Sequence, residues 1–275
     1  MSPSRMGTAE NEAAARKAKV RLAGIADLHC TKGSQGALQP LLSQINERAD
    51  VLLLCGDLTD HGLPDEARTL AKELTASVRI PIVGVLGNHD FELNKQNEVA
   101  GILGEAGVHL LDGEVFEALG VGFAGVKGFA GGFDRRALEP WGEEIIKHFV
   151  HEAIEEAVKL GSALARLQME NRVALLHYSP IRATVEGEPL EIFPFLGSSR
   201  LEEPLNRYPV SAVFHGHAHH GSPEGKTSRD IPVFNVSMRL LQQKHRDQLP
   251  FRVVDLPIDD LPLHSRKGES PGDQL

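Results

Sequence analysis

Residues 51–60 read VLLLCGDLTD, a short apolar run that ends abruptly in a glycine followed by two carboxylates. Two other stretches repeat this form, since residues 21–29 read RLAGIADLH and residues 82–90 read IVGVLGNHD. Apolar runs of this length, bounded by turn residues, are typical of buried strands. We therefore predict strands at Arg21–Ala26, Val51–Leu54 and Ile82–Leu86, each of which runs directly into a polar cluster.

Apolar residues recur at helical spacing between these three strands. The first set is Leu38, Leu41, Leu42 and Ile45, and the second is Leu63, Ala67, Leu70, Ala71 and Leu74. Strands that alternate with helices usually pair in parallel and are covered by those helices. The first part of the chain therefore predicts a parallel α/β sheet.

The rest of the chain continues this alternation of strands and helices. Further apolar runs predict strands at Gly122–Val126, Arg172–His177, Ala212–His215 and Pro232–Val236. A long helix is predicted from Gly142 to about Gln168. Its apolar stripe consists of Ile145, Phe149, Ala153, Ile154, Ala157 and Val158, and we expect this stripe to pack on the sheet.

The length and composition are those of an ordinary globular protein. The chain has 275 residues, of which 41% are hydrophobic and 24% charged, so it can bury a core without disulfides. No long linker divides it, and we predict a single domain over residues 20–255. Residues 1–19 and 256–275, which are polar or rich in proline and charge, are expected to be flexible tails.

The cysteines and the N-terminal sequence bear on the cellular compartment. Cys30 and Cys55 form no C-x-x-C pair, so we expect two small buried side chains, with a redox or ligand role for Cys30 as the alternative. Residues 1–19 contain no apolar segment typical of secretory signals, and the longest aliphatic run, Val51–Cys55, is too short to span a bilayer. We expect a cytoplasmic protein without membrane association, and the oligomeric state is left open.

The charge balance argues against one large class of function. The net charge is -9, from 29 basic and 38 acidic residues, so stable binding of nucleic acid through a broad basic face is not expected. A metal centre can still supply local positive charge, and phosphorylated substrates therefore stay compatible with an acidic protein.

Each early strand ends in residues that can bind metal ions, and two later strands do the same. These residues are Asp27 and His29, Asp57 and Asp60, Asn88 and His89, then His177, and finally His217 and His219. Because the carboxyl ends of strands in an open α/β sheet meet at one edge, we expect these side chains to lie close together. Mixed carboxylate and imidazole donors suit Mn, Fe, Zn or Ni, whereas Ca and Mg prefer oxygen ligands alone.

Taken singly, these residues have more ordinary interpretations. An aspartate after a strand often caps a turn or a helix, and a histidine-rich tract can bind metal incidentally. Five elements in order, each at a predicted strand end, favour one shared site. A Rossmann-type nucleotide-binding protein is the other candidate, but it requires G-x-G-x-x-G after the first strand, where this sequence reads GIADLHC.

The ordered set DLH, GDLTD, GNHD, a single histidine and GHAH resembles the calcineurin-like metallophosphoesterases, over about Ile25 to Asn235. The resemblance implies an α/β fold of the four-layer α/β/β/α sandwich type in a single domain. It also implies two divalent or mixed-valence transition-metal ions, namely Mn, Fe or Zn, at the strand ends. The implied activity is hydrolysis of a phosphomonoester or phosphodiester by a hydroxide that bridges the two ions.

The same resemblance implies a role for each residue at the strand ends. One ion would be bound by Asp27, His29 and His219, the other by Asn88, His177 and His217, with Asp57 bridging both. His89 would be the histidine that is not a ligand and that protonates the leaving group, and Asp60 the carboxylate that orients it. A carboxylate hydrogen-bonded to an imidazole favours its protonated form, which a general acid requires.

Position 61 departs from the Ser/Thr protein phosphatases of this superfamily, which typically carry a phosphate-gripping arginine there. This chain has His61, and together with its single-domain build this favours a small bacterial-type phosphodiesterase over a protein phosphatase. The expected substrate is a phosphorylated small molecule or a nucleotide. The alternative function is that of a catalytically inactive scaffold of the same fold for protein–protein assembly, but the complete ligand set argues against it.

Two loops are candidates for the rim of the site. Residues 127–136 read KGFAGGFDRR, and their glycines favour a mobile loop. Residues 191–200 read EIFPFLGSSR, in which Phe193 and Phe195 are expected to pack underneath, with stacking on a base as the alternative. Arg182 and Arg200 are candidates to contact a phosphate oxygen, although most such arginines are solvated.

Overall fold

Two sheets stacked face to face form the body of the protein in the computed structural model, which describes residues 19–244 and 246–258. The strands are β1 (Lys19–Ile25), β2 (Val51–Cys55), β3 (Ile82–Val85), β4 (Val108–Leu110), β5 (Val115–Ala118), β6 (Val121–Gly125), β7 (Asn171–Leu175), β8 (Ala212–His215), β9 (Glu224–Lys226), β10 (Pro232–Asn235) and β11 (Arg252–Pro257). The first sheet has the order β11-β1-β2-β3-β4, and the second has the order β5-β6-β7-β8-β10-β9.

Parallel pairing dominates the centre of both sheets. Strands β1 to β4 are mutually parallel, and β11 closes the first sheet by pairing antiparallel with β1. In the second sheet β6, β7, β8 and β10 are parallel, while β5 and β9 pair antiparallel at its two edges. The carboxyl ends of the central strands of each sheet therefore lie at one edge of that sheet, as the alternating sequence pattern predicts.

Helices cover the outer faces of both sheets. They are α1 (Gln39–Arg48), α2 (Pro64–Ser77), α3 (Gln96–Glu105), α4 (Glu144–Arg166), α5 (Phe193–Leu196), α6 (Glu202–Arg207) and α7 (Met238–Lys244). Apolar residues of α1, α2 and α3 pack on the first sheet, and those of α4 and α6 pack on the second. The layers are therefore α/β/β/α in a single domain, which confirms the predicted fold class.

Alternation along the strands explains how one sheet can face both a helix layer and another sheet. In β2, Leu52 and Leu54 belong to the cluster beneath the helices, whereas Val51, Leu53 and Cys55 belong to the cluster between the sheets. Successive side chains of a strand point to opposite faces, so a strand buried on both faces must be apolar throughout. This is why VLLLC is a continuous apolar run.

The long helix α4 is present, but its buried face differs from the predicted stripe. Ile145 and Val158 are 73% and 63% exposed, whereas Val150, Ala153, Leu160 and Leu164 are buried. The buried face also includes Glu156, whose carboxylate accepts a hydrogen bond from the backbone N–H of Gly128 at 2.7 Å. Phe149 and Ala157 of the predicted stripe pack against the core cluster and Ala153 is buried, so the prediction is right for these residues and wrong for Ile145 and Val158.

The first and last predicted boundaries differ slightly from the observed elements. Strand β1 begins at Lys19, and β11 continues through Leu256 and Pro257, which the sequence assigned to the tails. Both extensions arise because β1 and β11 pair with each other over their full length, and Leu256 is buried in the core. Residues 1–18 and 259–275 of the predicted tails lie outside the described residues.

The structure also bears on the two cysteines and on membrane-spanning helices. Cys30 and Cys55 are both free and buried, and burial raises the pKa of Cys30 to about 11. A thiol of this kind is almost entirely protonated at neutral pH and is a poor nucleophile. None of the helices described by the structure has the length and apolar character needed to cross a bilayer.

Candidate metal centre

The predicted site residues all follow the carboxyl ends of strands and lie together. Asp27 and His29 follow β1, Asp57 follows β2, and Asn88 follows β3 in the first sheet. His177 follows β7, and His217 and His219 follow β8 in the second sheet. The two stacked sheets thus contribute residues to the same place, which we call the metal centre.

One side of the metal centre is formed by Asp27, His29 and His219, which we call the His29 cluster. Their potential ligand atoms lie within 4.8 Å of one another. Both histidine side chains are 24% exposed. Asp27 is buried and is held by the backbone N–H of His217, which lies 3.1 Å from each of its carboxylate oxygens.

The other side is formed by Asn88, His177 and His217, which we call the His177 cluster. His177 Nε2 lies 2.9 Å from Asn88 Oδ1, and the rings of His177 and His217 are 4.8 Å apart. His177 is fully buried, and its Nδ1 donates to the carbonyl of Cys55 at 3.0 Å. His217 Nε2 donates to the carbonyl of Phe195 at 3.1 Å. Each histidine therefore has one nitrogen fixed by backbone and the other free for the site.

Asp57 lies between the two clusters and presents one carboxylate oxygen to each. Its Oδ1 is 3.3 Å from His177 Nε2, whereas its Oδ2 is 3.9 Å from His29 Nε2. The backbone N–H of His89 donates to Oδ1 at 2.9 Å, and Asp57 is only 1% exposed. Each cluster therefore has one Asp57 oxygen within 4 Å of one of its histidines.

The backbone at the metal centre is held in an uncommon conformation. Asp27, His29, Asp57 and His217 have φ values of +58°, +42°, +49° and +71°. Non-glycine residues rarely adopt left-handed backbone, which costs of order 1–3 kcal/mol each and persists mainly at functional sites. Gly56 is required for a different reason, because a Cβ there would lie 2.3 Å from the His177 ring.

The residues of the metal centre fit divalent cations. His219 Nε2 is buried and lies 3.2 Å from Asp27 Oδ1, yet it makes no aligned hydrogen bond. Burial lowers the pKa of His177, but the Asp57 carboxylate outweighs this and raises it to about 9. Burial together with the charge of His177 lowers the pKa of His217 to about 4. Without a cation, His177 is therefore protonated beside Asp57 at neutral pH, whereas His217 is not. A cation bound here would take the place of the His177 proton, and carboxylates together with imidazoles are the mixed donor set that transition metals prefer.

The structure places His89 beside the metal centre, with support that differs from the expected one. His89 Nδ1 lies 2.6 Å from the backbone carbonyl of Asp60, to which it donates. The Asp60 carboxylate instead lies 3.4 Å from His29 Nδ1 and 3.2 Å from His61 Nε2. The carbonyl of Asp60, and not its carboxylate, is therefore the group hydrogen-bonded to His89. His89 Nε2 is left facing the site, 4.0 Å from Asp57 Oδ2.

Asp90 is a supporting residue that the sequence argument did not identify. It is fully buried, and its carboxylate accepts hydrogen bonds from the backbone N–H groups of Leu58, Thr59 and Gly87 and from the Thr59 hydroxyl. It thereby ties the loop after β2 to the loop after β3. Its place as the last residue of GNHD was the available signal, because a carboxylate inside a turn often accepts from nearby backbone.

The two predicted rim loops lie side by side. The backbone N–H of Gly131 donates to the carbonyl of Pro194 at 2.7 Å, and that of Gly132 donates to the carbonyl of Gly197 at 2.8 Å. Phe193 is buried, as expected, whereas Phe195 is exposed to solvent. The predicted packing of both phenylalanines underneath the loop therefore holds for Phe193 alone.

His61, which occupies the position of the phosphatase arginine, sits between two carboxylates. Its Nδ1 lies 2.9 Å from Glu92 Oε2, and its Nε2 lies 3.2 Å from Asp60 Oδ2. The hydrogen bond to Glu92 and the charge of Asp60 raise the pKa of His61. This edge of the metal centre is therefore lined by two carboxylates around one imidazole.

Comparisons with known proteins agree with this fold. A family model described as calcineurin-like phosphoesterase matches residues 20–221, whereas no curated protein matches the sequence significantly. Among solved structures, the phosphopantetheinyl hydrolase of Mycobacterium tuberculosis is similar, with a TM-score of 0.62 and 17% identity over 93% of this chain and 100% of that one. A Thermus thermophilus protein has a TM-score of 0.49 and 13% identity over 86% of this chain and 99% of that one. The match to the family model spans the whole metal centre, and the chain belongs to the calcineurin-like phosphoesterase family.

Proposed function

We propose that this protein is a hydrolase of phosphoester bonds that requires two metal ions, with the ligands assigned above to the His29 cluster, the His177 cluster and Asp57. The observation that carries the proposal is the position of Asp57, whose two oxygens face the two clusters. A pair of divalent ions bound there would supply positive charge for the phosphoryl oxygens and activate a water molecule at neutral pH. Mn, Fe and Zn are the ions that suit these ligands.

The charge of the ligand set supports a substrate that is an anion. Asp27 and Asp57 are the two buried carboxylates among the proposed ligands, so two divalent cations would leave a net positive charge at the centre. Such a local charge can attract a phosphoester even though the whole chain carries a net charge of -9. The substrate class that we propose is a phosphorylated small molecule or nucleotide.

The role proposed for His89 is to protonate the departing oxygen. Because the carbonyl of Asp60 accepts from Nδ1, the proton that His89 can transfer is the one on Nε2, which faces the centre. In the protonated ring, the bond from Nδ1 to the Asp60 carbonyl fixes the orientation of the imidazole and so directs the Nε2 proton towards the centre without a carboxylate partner. General acid catalysis of this kind typically contributes about 10²–10⁴ in rate.

The surroundings of His61 favour a phosphodiester over a phosphomonoester. Asp60 and Glu92 surround this imidazole, so the position offers no free cation to a second phosphate charge. A diester carries one negative charge and a fully ionised monoester carries two, and like charges repel. We therefore propose a phosphodiesterase rather than a protein phosphatase.

The experiment that tests this function is a substrate panel with added Mn²⁺. It compares bis-nitrophenyl phosphate, nitrophenyl phosphate and cyclic AMP, with a chelator as the reference. We expect metal-dependent hydrolysis, faster for the diesters. If the protein incubated with Mn²⁺ hydrolyses none of them and binds no metal, the chain is a scaffold of the same fold.

The His89→Ala variant tests whether His89 protonates the leaving group. It should bind the same amount of metal as the wild type and lose roughly 10²–10⁴ in rate on alkyl esters, whose leaving groups need protonation. Nitrophenyl esters should lose much less because nitrophenolate departs without a proton. His148→Ala, on the exposed side of α4, is the matched control and should change neither rate. Equal losses on both types of ester would contradict the assignment.

A further inference from the structure

Residues 187–195 border the metal centre at both ends of the segment. At one end, the carbonyl of Phe195 accepts from His217 Nε2 at 3.1 Å. At the other end, Glu188 Oε1 accepts from the backbone N–H of His220 at 2.6 Å. The segment therefore lies along the loop that carries His217 and His219, two of the proposed ligands.

This segment has an inner face that packs and an outer face that does not. Phe193 and Leu196 are buried and pack in one cluster with Phe133, Val185 and Ala218. Leu190, Ile192 and Phe195 are 68%, 38% and 57% exposed. The anchoring of the segment is thus complete without these three side chains, so core packing does not explain their apolar character.

The neighbouring loop extends the apolar surface. Leu138 is exposed, and its backbone is held by Gly131, which accepts from the N–H of Leu138 at 2.7 Å, and by an Arg200 N–H, which donates to the carbonyl of Leu138 at 3.0 Å. Gly131 in turn donates to Pro194. We call Leu138, Leu190, Ile192 and Phe195 the apolar rim.

The four residues of the apolar rim belong to two loops that backbone hydrogen bonds hold side by side. Single exposed apolar residues are common on protein surfaces and need no explanation. A group of them beside a polar site marks a surface that binds a ligand. The backbone carbonyl of Phe195 accepts a hydrogen bond from His217. The apolar rim therefore begins next to the metal centre, where one ligand can reach both.

We infer that the apolar rim binds an alkyl or aryl part of the substrate, so that the preferred substrates are amphiphilic phosphoesters. The phosphoryl group lies at the metal centre and the apolar group lies on the rim. This inference rests on the proposed function, because the metal centre holds the charged end. Each methylene group buried on the rim strengthens binding by up to about fourfold.

Calorimetric titration with alkylphosphonates tests the inference without measuring catalysis. Methyl-, butyl- and octylphosphonate share one charged group and differ only in the apolar part. With the Mn²⁺-loaded protein, we expect the affinity to rise by roughly twofold to fourfold for each added methylene that contacts the rim. The heat capacity of binding should become more negative along the series, since apolar surface is buried.

Two substitutions locate the effect on the rim. Leu190→Ser and Phe195→Ser should each flatten the dependence on chain length, so that octylphosphonate loses about tenfold in affinity. Methylphosphonate should bind Leu190→Ser as it binds the wild type, and Phe195→Leu should restore most of the octyl affinity. Val158→Ser, another exposed apolar residue, on α4, is the matched control and should leave the whole series unchanged.

The outcomes separate this inference from the proposed function. If methylphosphonate binds but longer chains bind no better, the apolar rim is not a substrate surface and the proposed function stands. If chain length matters equally in the wild type and in both serine variants, the apolar group binds elsewhere and the inference is overturned. If no phosphonate binds the metal-loaded protein, both the proposed function and the inference fail.

Discussion

The two ligand clusters of the metal centre are built from similar side chains but supported differently. In the His177 cluster, both histidines donate a ring N–H to a backbone carbonyl, and His177 is fully buried. In the His29 cluster, His29 and His219 are each 24% exposed. His29 Nδ1 is buried without an aligned partner, with the Asp60 carboxylate 3.4 Å away.

This difference has a consequence for the two proposed metal ions. A histidine whose second nitrogen is fixed by a hydrogen bond is already oriented for its ion, and such partners change metal affinity by about 10–100-fold. We therefore expect the His177 cluster to bind its ion more tightly than the His29 cluster does. Asp57 belongs to both and couples them.

Removal of Asp57 should produce the largest effect, because both clusters depend on it. Asp57→Ala should bind less than one metal ion per chain and lose more activity than the about 10²–10³-fold that loss of a single electrostatic donor causes. Metal content by mass spectrometry and hydrolysis of bis-nitrophenyl phosphate are the measurements. A variant that retains two ions per chain would show that the clusters are independent of Asp57.

Single ligand substitutions should reveal the asymmetry between the clusters. We expect the wild-type protein to bind a first Mn²⁺ ion at least roughly tenfold more tightly than a second. His29→Ala should keep the tighter ion, whereas His177→Ala should lose it, as measured by calorimetric titration of the metal-free protein. Thermal unfolding of both variants serves as the control for folding, since His177 is buried. Two equal sites in the wild type would contradict the comparison.

The Asp60 carboxylate should affect metal binding by the His29 cluster, but it should not affect proton donation by His89. Asp60→Asn keeps the backbone carbonyl that accepts from His89 but removes the charge beside His29. We expect the affinity for the less tightly bound ion to fall by roughly tenfold. The ratio of the hydrolysis rates of alkyl and nitrophenyl esters should stay unchanged.

The control for Asp60→Asn is Asp65→Asn, which alters an exposed carboxylate paired with Lys32 and Arg68. It should affect neither the metal affinity nor the ester dependence. Suppose instead that Asp60→Asn slows the hydrolysis of alkyl esters much more than that of nitrophenyl esters. The Asp60 carboxylate, and not its carbonyl, then supports His89 as the proton donor.

The stability of the protein should also depend on pH through His215. This residue lies two positions before His217 and is not a proposed ligand. It is fully buried, with Nε2 2.9 Å from the Thr184 hydroxyl, and burial lowers its pKa from 6.5 to about 4. Between pH 6.5 and 4, His215 is therefore mostly protonated in the unfolded chain but not in the folded protein. Its contribution to stability is complete above pH 6.5 and is lost as the pH falls towards 4.

The expected loss from His215 is about 3 kcal/mol in the free energy of unfolding over that range. Urea unfolding of the metal-free protein at several pH values measures it. His215→Gln should unfold with a shallower dependence on pH between 6.5 and 4, because glutamine does not titrate. Parallel curves for the two proteins would contradict the assignment of this pH dependence to His215.

The main strands and the ligand types could be predicted from local patterns in the sequence, whereas the two-sheet sandwich was implied only by the resemblance to the metallophosphoesterases. Continuous apolar runs such as VLLLC mark strands buried on both faces, and DLH, GDLTD and GNHD mark their ends. Short strands such as Val108–Leu110 and Glu224–Lys226 escaped prediction because three residues carry too little pattern. The buried face of α4 was predicted in part: Phe149, Ala153 and Ala157 face inward, but the buried Glu156, whose carboxylate accepts from the N–H of Gly128, gave no apolar signal.

The support around the site could not be predicted, since it depends on distant backbone. Cys55 and Phe195 contribute through their carbonyls, so their side-chain identity carries no signal. The same holds for Asp60, where residue type suggested the carboxylate and the structure uses the carbonyl for His89. The exposure of Phe195 beside the buried Phe193 depends on how residues 187–195 are anchored at both ends.

Electron paramagnetic resonance of the protein loaded with two equivalents of Mn²⁺ addresses the bridging carboxylate most directly. Two ions that share the Asp57 carboxylate should give one exchange-coupled spectrum, which Asp57→Ala converts to that of isolated ions. Two magnetically independent ions in the unaltered protein, or a spectrum that the Asp57→Ala substitution leaves unchanged, would contradict the account.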